Sequence, residues 1–270
     1  MLKDITLGQY YPTDSVIHRL DPRVKLAAVL IFLITLFAFQ GPVAMGVCAA
    51  FLIFVIVLTR IPFSFMIRGL RLILVILIIT ALMNLFFTNG EHILWSYGVL
   101  KISIEGIKMA CLMVFRLIFL ILGTSILTLT TTPNQLTEGM EKGLRWLSYI
   151  GVPIHEIAMM MSIALRFIPI LTEETDKIMR AQMARGADFE TGGLIKRAKA
   201  MIPLLVPLFV SAFRRANDLA LAMEARCYHG GRGRTKLKPL IYQKRDFISY
   251  FVLLGYVTAV IAASVWWKSR

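Results

Sequence analysis

Apolar residues run almost unbroken over Leu72–Phe87, Met109–Leu129 and Phe247–Trp267. The stretch Leu26–Leu58 is equally apolar except for "QGPV" at 40–43. Crossing about 30 Å of hydrocarbon takes roughly 20 helical residues. Each half of that stretch is short for a span, and one continuous helix would be too long. Gly41-Pro42 interrupts it, so the pattern predicts a tight hairpin of two spans. With the other three, the chain is expected to cross the membrane five times.

Between the fourth and fifth spans the period changes. Residues 132–245 are too many for a loop and lack the Ser/Gly composition of a linker. They read as three amphipathic helices. The first opens at "TTPNQL", with Thr132 as N-cap, Pro133 at N1 and Gln135 closing a capping box. Leu136, Met140, Leu144 and Leu147 share one face, and "IGVP" at 150–153 ends it. The second runs from about His155 to Arg185. Ile154, Ile157, Met161, Leu165, Ile168 and Leu171 form its apolar stripe, and Pro169 is expected to kink it. Gly186 is placed as the residue after its cap. The third runs from about Leu194 to Arg226, with Pro203 and Pro207 as kinks in its apolar half and Arg214, Arg215, Asp218 and Glu224 in its polar half. Gly230-Gly231 closes the region.

Composition agrees with a membrane protein. Of 270 residues, 57% are apolar, above the 45–50% of soluble domains. The first 26 residues are polar, without the apolar core of a secretory leader. A formal charge of +14 raises nucleic acid as a partner, but its distribution argues against it. Lys3, Arg19, Arg23 and Lys25 precede the first span, and Arg60, Arg68 and Arg71 follow the second. Eighteen of the thirty Lys and Arg fall between Thr132 and Arg245. That is the cytoplasmic bias of a polytopic protein. It places the N-terminus, 60–71 and 132–245 inside, and 40–42, 88–108 and the C-terminus outside. Lys268 and Arg270 oppose that orientation mildly, whereas Trp266 and Trp267 suit an interfacial belt.

Two short segments stand out, "AQMARGADF" at 181–189 and "AMEARCYHGG" at 222–231. Each sets an arginine between small residues at the end of a long helix. One such arginine needs no partner, because the helix dipole favours it by roughly 0.3–1 kcal/mol. Two on the same side of one protein, with Ala184, Gly186 and Ala225 admitting another backbone, suggest paired docking points. A guanidinium fork binds carboxylate in bidentate fashion.

The sequence resembles the transmembrane T component of energy-coupling-factor transporters over nearly its whole length. The resemblance is carried by "SVIHRLDPRVKL" at 15–26, "TTPNQLTEGMEKGLRWL" with "GVP" at 131–153, "ALRFIPILTEETDKIMRAQMARGAD" at 164–188 and "MEARCYHGG" at 223–231. It implies an all-α polytopic protein of a prokaryotic cytoplasmic membrane. Residues 1–131 would hold the N-terminal segment and spans one to four, 132–245 a cytoplasmic domain of three coupling helices, and 246–270 the last span. It implies that Ala184-Arg185-Gly186 and Ala225-Arg226-Cys227 contact two ATP-binding-cassette ATPase subunits, which carry ATP and Mg. The second motif has cysteine where the first has the glycine suited to left-handed backbone. It further implies a platform for a small substrate-binding membrane protein, the S component, formed by Leu136, Met140, Leu144, Leu147, Ile157, Met161, Leu165 and Ile168. Vitamin or metal-ion uptake would be the function, the chain itself being non-catalytic.

Other chemistry finds little support. His18, His92, His155 and His229 are dispersed, Cys227-x-His229 lacks further ligands, and Cys48, Cys111 and Cys227 have no metal or disulfide spacing, so no metal is expected. No GxxxxGK[ST] appears, so no ATP or other cofactor is expected on this chain. No Asp or Glu falls within a span core, as a proton-coupled carrier would require. Arg116 in span four is expected to snorkel. The Met159–Met161 run would suit a surface accepting several partners. Two alternatives stay open: the permease of a conventional ATP-driven importer, and a polytopic membrane enzyme. The lipid bilayer is a partner under every reading.

Overall fold

The computed structural model describes residues 10–39, 41–88, 92–97, 100–189, 193–230 and 239–269. Lys3, Gly231 and Arg270 therefore lie outside the described residues, as do the side chains of Arg68 and Arg71. Eight α-helices are described: α1 Pro22–Ala38, α2 Pro42–Thr59, α3 Phe63–Phe87, α4 Ile104–Thr130, α5 Pro133–Gly143, α6 Ile154–Ala184, α7 Leu194–Ala225 and α8 Lys244–Lys268. Strands β1 Ile93–Tyr97 and β2 Leu100–Ser103 form an antiparallel hairpin before α4. The architecture is the expected all-α polytopic one with this single addition, in a segment read from the sequence as a plain external connection. The chain divides into two compact units.

The first unit comprises residues 8–139 and 240–270. The hairpin of two short spans is present: Gly41 has φ 137°, open to glycine alone, and Pro42 starts α2. The core lies among α1, α2, α4 and α8, around Phe32, Leu36, Leu52, Leu122, Ile126 and Val260. Gly123 lets α4 approach Phe32, since a Cβ there would come within 2.8 Å of the ring. Tyr256 stacks on Phe51 at 4.1 Å. The Thr35 hydroxyl donates to the Phe32 carbonyl (2.8 Å), so its oxygen accepts from the Tyr256 hydroxyl (2.7 Å). Cys48 is buried beside the same hydroxyl. The outward positions stay apolar: Ile34, Val57, Val75, Phe251 and Leu254 are all exposed. Such a surface suits hydrocarbon and not water.

A polar knot ties one end of this bundle. Lys25, read from sequence as a topology charge, is buried, and its Nζ donates to the carbonyls of Thr130 (2.8 Å) and His18 (3.1 Å). Asp21 caps α1 through the Arg23 amide and pairs with the Arg23 guanidinium, which also lies over the Tyr242 ring. Asp246 is buried, closes a capping box with Gln243 at the start of α8, and accepts the Asp21 amide at 2.9 Å. The "HRLDPRVKL" stretch thus binds the ends of α1, α4 and α8. His18 belongs to the same end. Its Nε2 donates to the Tyr11 carbonyl (3.1 Å), which leaves Nδ1 to accept from Ser15 (2.7 Å).

Among the described residues, four helices are long and apolar enough to cross a membrane by length and composition: α2, α4, α8 and also α6. At 17 residues α1 is shorter, and α3 contributes the apolar stretch Ile73–Phe87. The appearance of α6 in this set reflects its apolar first half, around an amphipathic pattern the sequence reading assigned to the cytoplasm.

Candidate functional site

The second unit comprises the described residues between Met140 and Pro239. Its boundaries fall a few residues inside the 132–245 segment. The capping box expected at the start of α5 is formed: the Gln135 amide donates to the Thr132 hydroxyl, and Gln135 Oε1 accepts from the Thr132 amide. The first amphipathic helix is shorter than expected, however. It ends at Gly143, and Arg145–Ile150 form a separate 3-10 turn. Glycine weakens the last helical turn, and Leu144 leaves helical geometry at φ −94°, ψ 7°. Leu136, Met140, Leu144 and Leu147 therefore do not form one continuous helical face. His155 at the start of α6 bonds to Glu141 of α5 at 2.9 Å.

α6 and α7 run unbroken for 31 and 32 residues, through Pro169 and through Pro203 and Pro207. Each proline withholds an amide from the carbonyl four residues back. At Pro207 the orphaned carbonyl belongs to Pro203, and the side-chain amide of Gln182 on α6 reaches it at 3.4 Å. Further along, Arg215 of α7 pairs with Glu174 of α6 at 3.1 Å. Beyond that pair, Ile163 and Phe167 share a cleft with Leu219 and Met223. The partners of α7 move back along α6 as α7 advances, so the two helices are antiparallel. Ala212, Ala216 and Ala220 on α7 present a low surface to Phe167 and Leu171.

The consequence is in the ends. Arg185 caps α6 and Arg226 caps α7. Antiparallel packing sends these caps to opposite ends of the pair. Gln182 is level with Pro203, and Pro203 to Arg226 is 23 residues, or roughly 35 Å of helix at about 1.5 Å per residue. Both caps are built alike. After α6, the Gly186 amide donates to the Met183 carbonyl (2.9 Å) and the Ala187 amide to that of Gln182 (3.0 Å). After α7, the Cys227 amide donates to Glu224 (2.8 Å) and the Tyr228 amide to Met223 (3.0 Å). Each pair of bonds is a Schellman motif, which needs a left-handed residue at the turn. Gly186 supplies it at φ 87° and Cys227 at φ 55°. Cysteine thus adopts the conformation that its Cβ disfavours, and α7 ends before Gly230. Ala184, Arg185, Gly186, Ala225, Arg226 and Cys227 are all exposed.

The apolar stripe of α6 lacks cover within the unit. Ile157, Met161 (49% exposed) and Ile168 are exposed, as is Met140, while Leu144, Leu147 and Leu165 are half-buried. Residues left out of the sequence-derived surface expose more. On α7, Ile202, Val206, Phe209 (63%), Val210 and Phe213 (65%) lie open, and Trp146, Tyr149 and Ile150 do so in the 3-10 turn. Positions 202, 206, 209 and 213 share one helical face. The signal was in the sequence, as the apolar half around Pro203 and Pro207, without being resolved to residues. Among the described residues no three His, Cys, Asp or Glu side chains gather where they could hold a metal ion. Arg116 on α4 lies over the Phe37 ring at 5.7 Å.

Comparison with known proteins bears on this arrangement. The CbiQ family, described as cobalt transport protein, matches residues 13–237. The chain is 52% identical to the energy-coupling factor transporter transmembrane protein EcfT of Clostridium kluyveri, over 99% of both chains. It is 49% identical to that of Acidaminococcus fermentans, over 94% of this chain and 95% of the relative. With that of Bacillus subtilis it shares 47% identity over 91% and 93%. A multi-pass helical protein with this much identity, end to end, belongs to the CbiQ/EcfT family of transmembrane components of energy-coupling-factor transporters.

Proposed function

We propose that this chain links ATP hydrolysis by two cytoplasmic ATPase subunits to the movement of a substrate-binding S component in a bacterial cytoplasmic membrane, for vitamin or metal-ion uptake. Family membership sets aside the conventional permease and the membrane enzyme. The chain acts as a non-catalytic subunit, and ATP and Mg reside on the ATPase partners. One observation carries the reading: two exposed arginines, on matching caps, at opposite ends of an antiparallel helix pair. Opposite ends suit two separate subunits, each receiving one arginine through Ala184-Arg185-Gly186 or Ala225-Arg226-Cys227. Closure of the ATPases moves the two ends, and the helices transmit that motion as rods. The exposed apolar faces of α6 and α7 carry the S component, which reorients as the rods turn.

The test is complex recovery and substrate uptake in vesicles for Arg185→Ala, Arg226→Ala and the double variant. Truncating one partner of a desolvated ion pair costs about 2–5 kcal/mol, and about 1.4 kcal/mol is tenfold in affinity. Each single variant is expected to lose an ATPase subunit on purification, and the double to lose uptake while still inserting in the membrane. Arg→Lys restores part, because lysine keeps the charge and loses the fork. Normal assembly and transport by the double variant would reduce both arginines to helix-end charges.

A further inference from the structure

The first unit contains a slot that energy coupling leaves unused. α1 and α8 begin, and α2 and α4 finish, at the same end of the bundle, and there the four helices enclose a cavity of about 340 Å³. Its walls are almost wholly apolar, built from Val29, Phe32, Phe54, Val55, Leu127 and Val252. Polar groups gather at the mouth: Lys25, Thr130 and Arg245, with Ser249 one turn deeper. Three of the four are engaged by the protein. Lys25 donates to two carbonyls, the Thr130 hydroxyl donates to the Ile126 carbonyl at 2.7 Å, and the Ser249 hydroxyl donates to the Arg245 carbonyl at 3.0 Å. Arg245 is not. Its Nε is buried without a hydrogen-bond partner, and its guanidinium makes no ion pair among the described residues.

We propose that this slot binds one anionic phospholipid of the bilayer, with its phosphate on Arg245 and one acyl chain between α1, α2, α4 and α8. The two halves of the site select the two halves of the ligand. An unpaired guanidinium at the edge of a membrane protein favours an anionic oxygen. An apolar wall bathed in lipid favours a chain and offers nothing to a soluble ion. The depth fits as well: Val24 to Phe32 on α1 and Arg245 to Leu253 on α8 are each eight residues, about 12 Å of helix. That length takes the part of an acyl chain nearest its headgroup. A free phosphate satisfies the arginine and leaves the walls empty, and a zwitterionic lipid fills the walls with less gain at the mouth.

Native mass spectrometry of the purified full-length chain in mild detergent tests this. Phosphatidylglycerol and phosphatidylcholine with identical chains are titrated separately, with inorganic phosphate as a competitor. One phosphatidylglycerol should be retained at least tenfold better than phosphatidylcholine, and millimolar phosphate should not displace it. Arg245→Gln should bring the two lipids level. Ala28→Trp, which plugs the slot from α1, should reduce retention of both, with helix content by circular dichroism as the folding control. Leu127→Trp serves as the plug from α4 if the first variant does not fold. Equal retention of the two lipids by the native chain overturns the proposal. A headgroup preference that survives Arg245→Gln, displacement by free phosphate, or undiminished retention in a folded plug variant does so too.

Discussion

His18 shows how a single side chain can carry more than its sequence context suggests. It is a lone histidine in a polar stretch, yet both ring nitrogens are engaged and the ring is partly buried. Burial pulls its pKa below the ordinary 6.5, and the nearby Lys25 charge adds to that effect. The unfolded chain then takes up the proton more readily than the folded one. The stability His18 contributes is complete above about pH 6.5 and is lost as the pH falls below it. Thermal unfolding in detergent should accordingly drop in midpoint below that pH, and His18→Gln should flatten the dependence. Cys227 offers a second case. Its position at the end of α7 was legible from the small-residue motif, but its left-handed backbone was not, because glycine was the residue expected there. Cys227→Gly should keep or raise stability. The gain should be up to about 1–2 kcal/mol, the usual cost of that conformation for a residue with a Cβ, whereas Cys227→Val should lower stability, because a branched Cβ crowds left-handed backbone further, as read by chemical or thermal unfolding. Lys25 was legible only as a charge, and Asp246 was not singled out. The Thr130 carbonyl and the Asp21 amide that they bind lie 105 and 225 residues away in the chain, a distance over which periodicity says nothing.

At the scale of elements, local signals served best where the cause is local. Thr132, Pro133 and Gln135 placed the start of α5, and Gly41-Pro42 placed the turn between α1 and α2, because caps and turns depend on a few adjacent residues. The break after Gly143 and the hairpin before α4 were missed. A helical pattern of apolar positions continues in the sequence through a 3-10 turn, and a short strand pair carries a weak signal. The sequence also gave too little weight to α7. Its open apolar face at Ile202, Val206, Phe209 and Phe213 is at least as exposed as that of α6. If these faces carry the S component, a charge on them adds a desolvation cost to lost burial. Phe209→Glu should therefore weaken S-component capture more than Leu165→Glu or Leu144→Arg, with ATPase binding nearly unchanged in all three. Pull-down from membranes through a tag on the S component measures this, and undiminished capture by all three variants would place the platform elsewhere.

For the whole molecule, the pattern of charge and hydropathy yields five crossings, while length and composition alone admit α6 as a further candidate. The two descriptions differ in a measurable way. Five crossings put reporters at Arg68 and Lys199 in the cytoplasm and one after Arg270 outside. A crossing by α6 would move Lys199 to the opposite side from Arg68. The opposed placement of Arg185 and Arg226 was not legible at this scale. The sequence shows two similar helix ends, but only the pairing of Gln182 with Pro203 and Glu174 with Arg215 fixes the helices as antiparallel.

The three cysteines sit in three different surroundings. Cys48 is sealed under Tyr256, Cys111 is exposed along a membrane span, and Cys227 is exposed immediately after Arg226. A charged, membrane-impermeant maleimide applied to the cytoplasmic face should therefore modify Cys227 ahead of the other two, without any engineered residue. The native chain thereby carries a footprinting probe beside one of the two proposed ATPase contacts. Labelling should slow when an ATPase subunit is docked there and recover when Arg226→Ala releases it. Because Gly186 stands at the matching position, the probe reads one anchor and leaves the other silent, so occupancy of the two ends can be told apart.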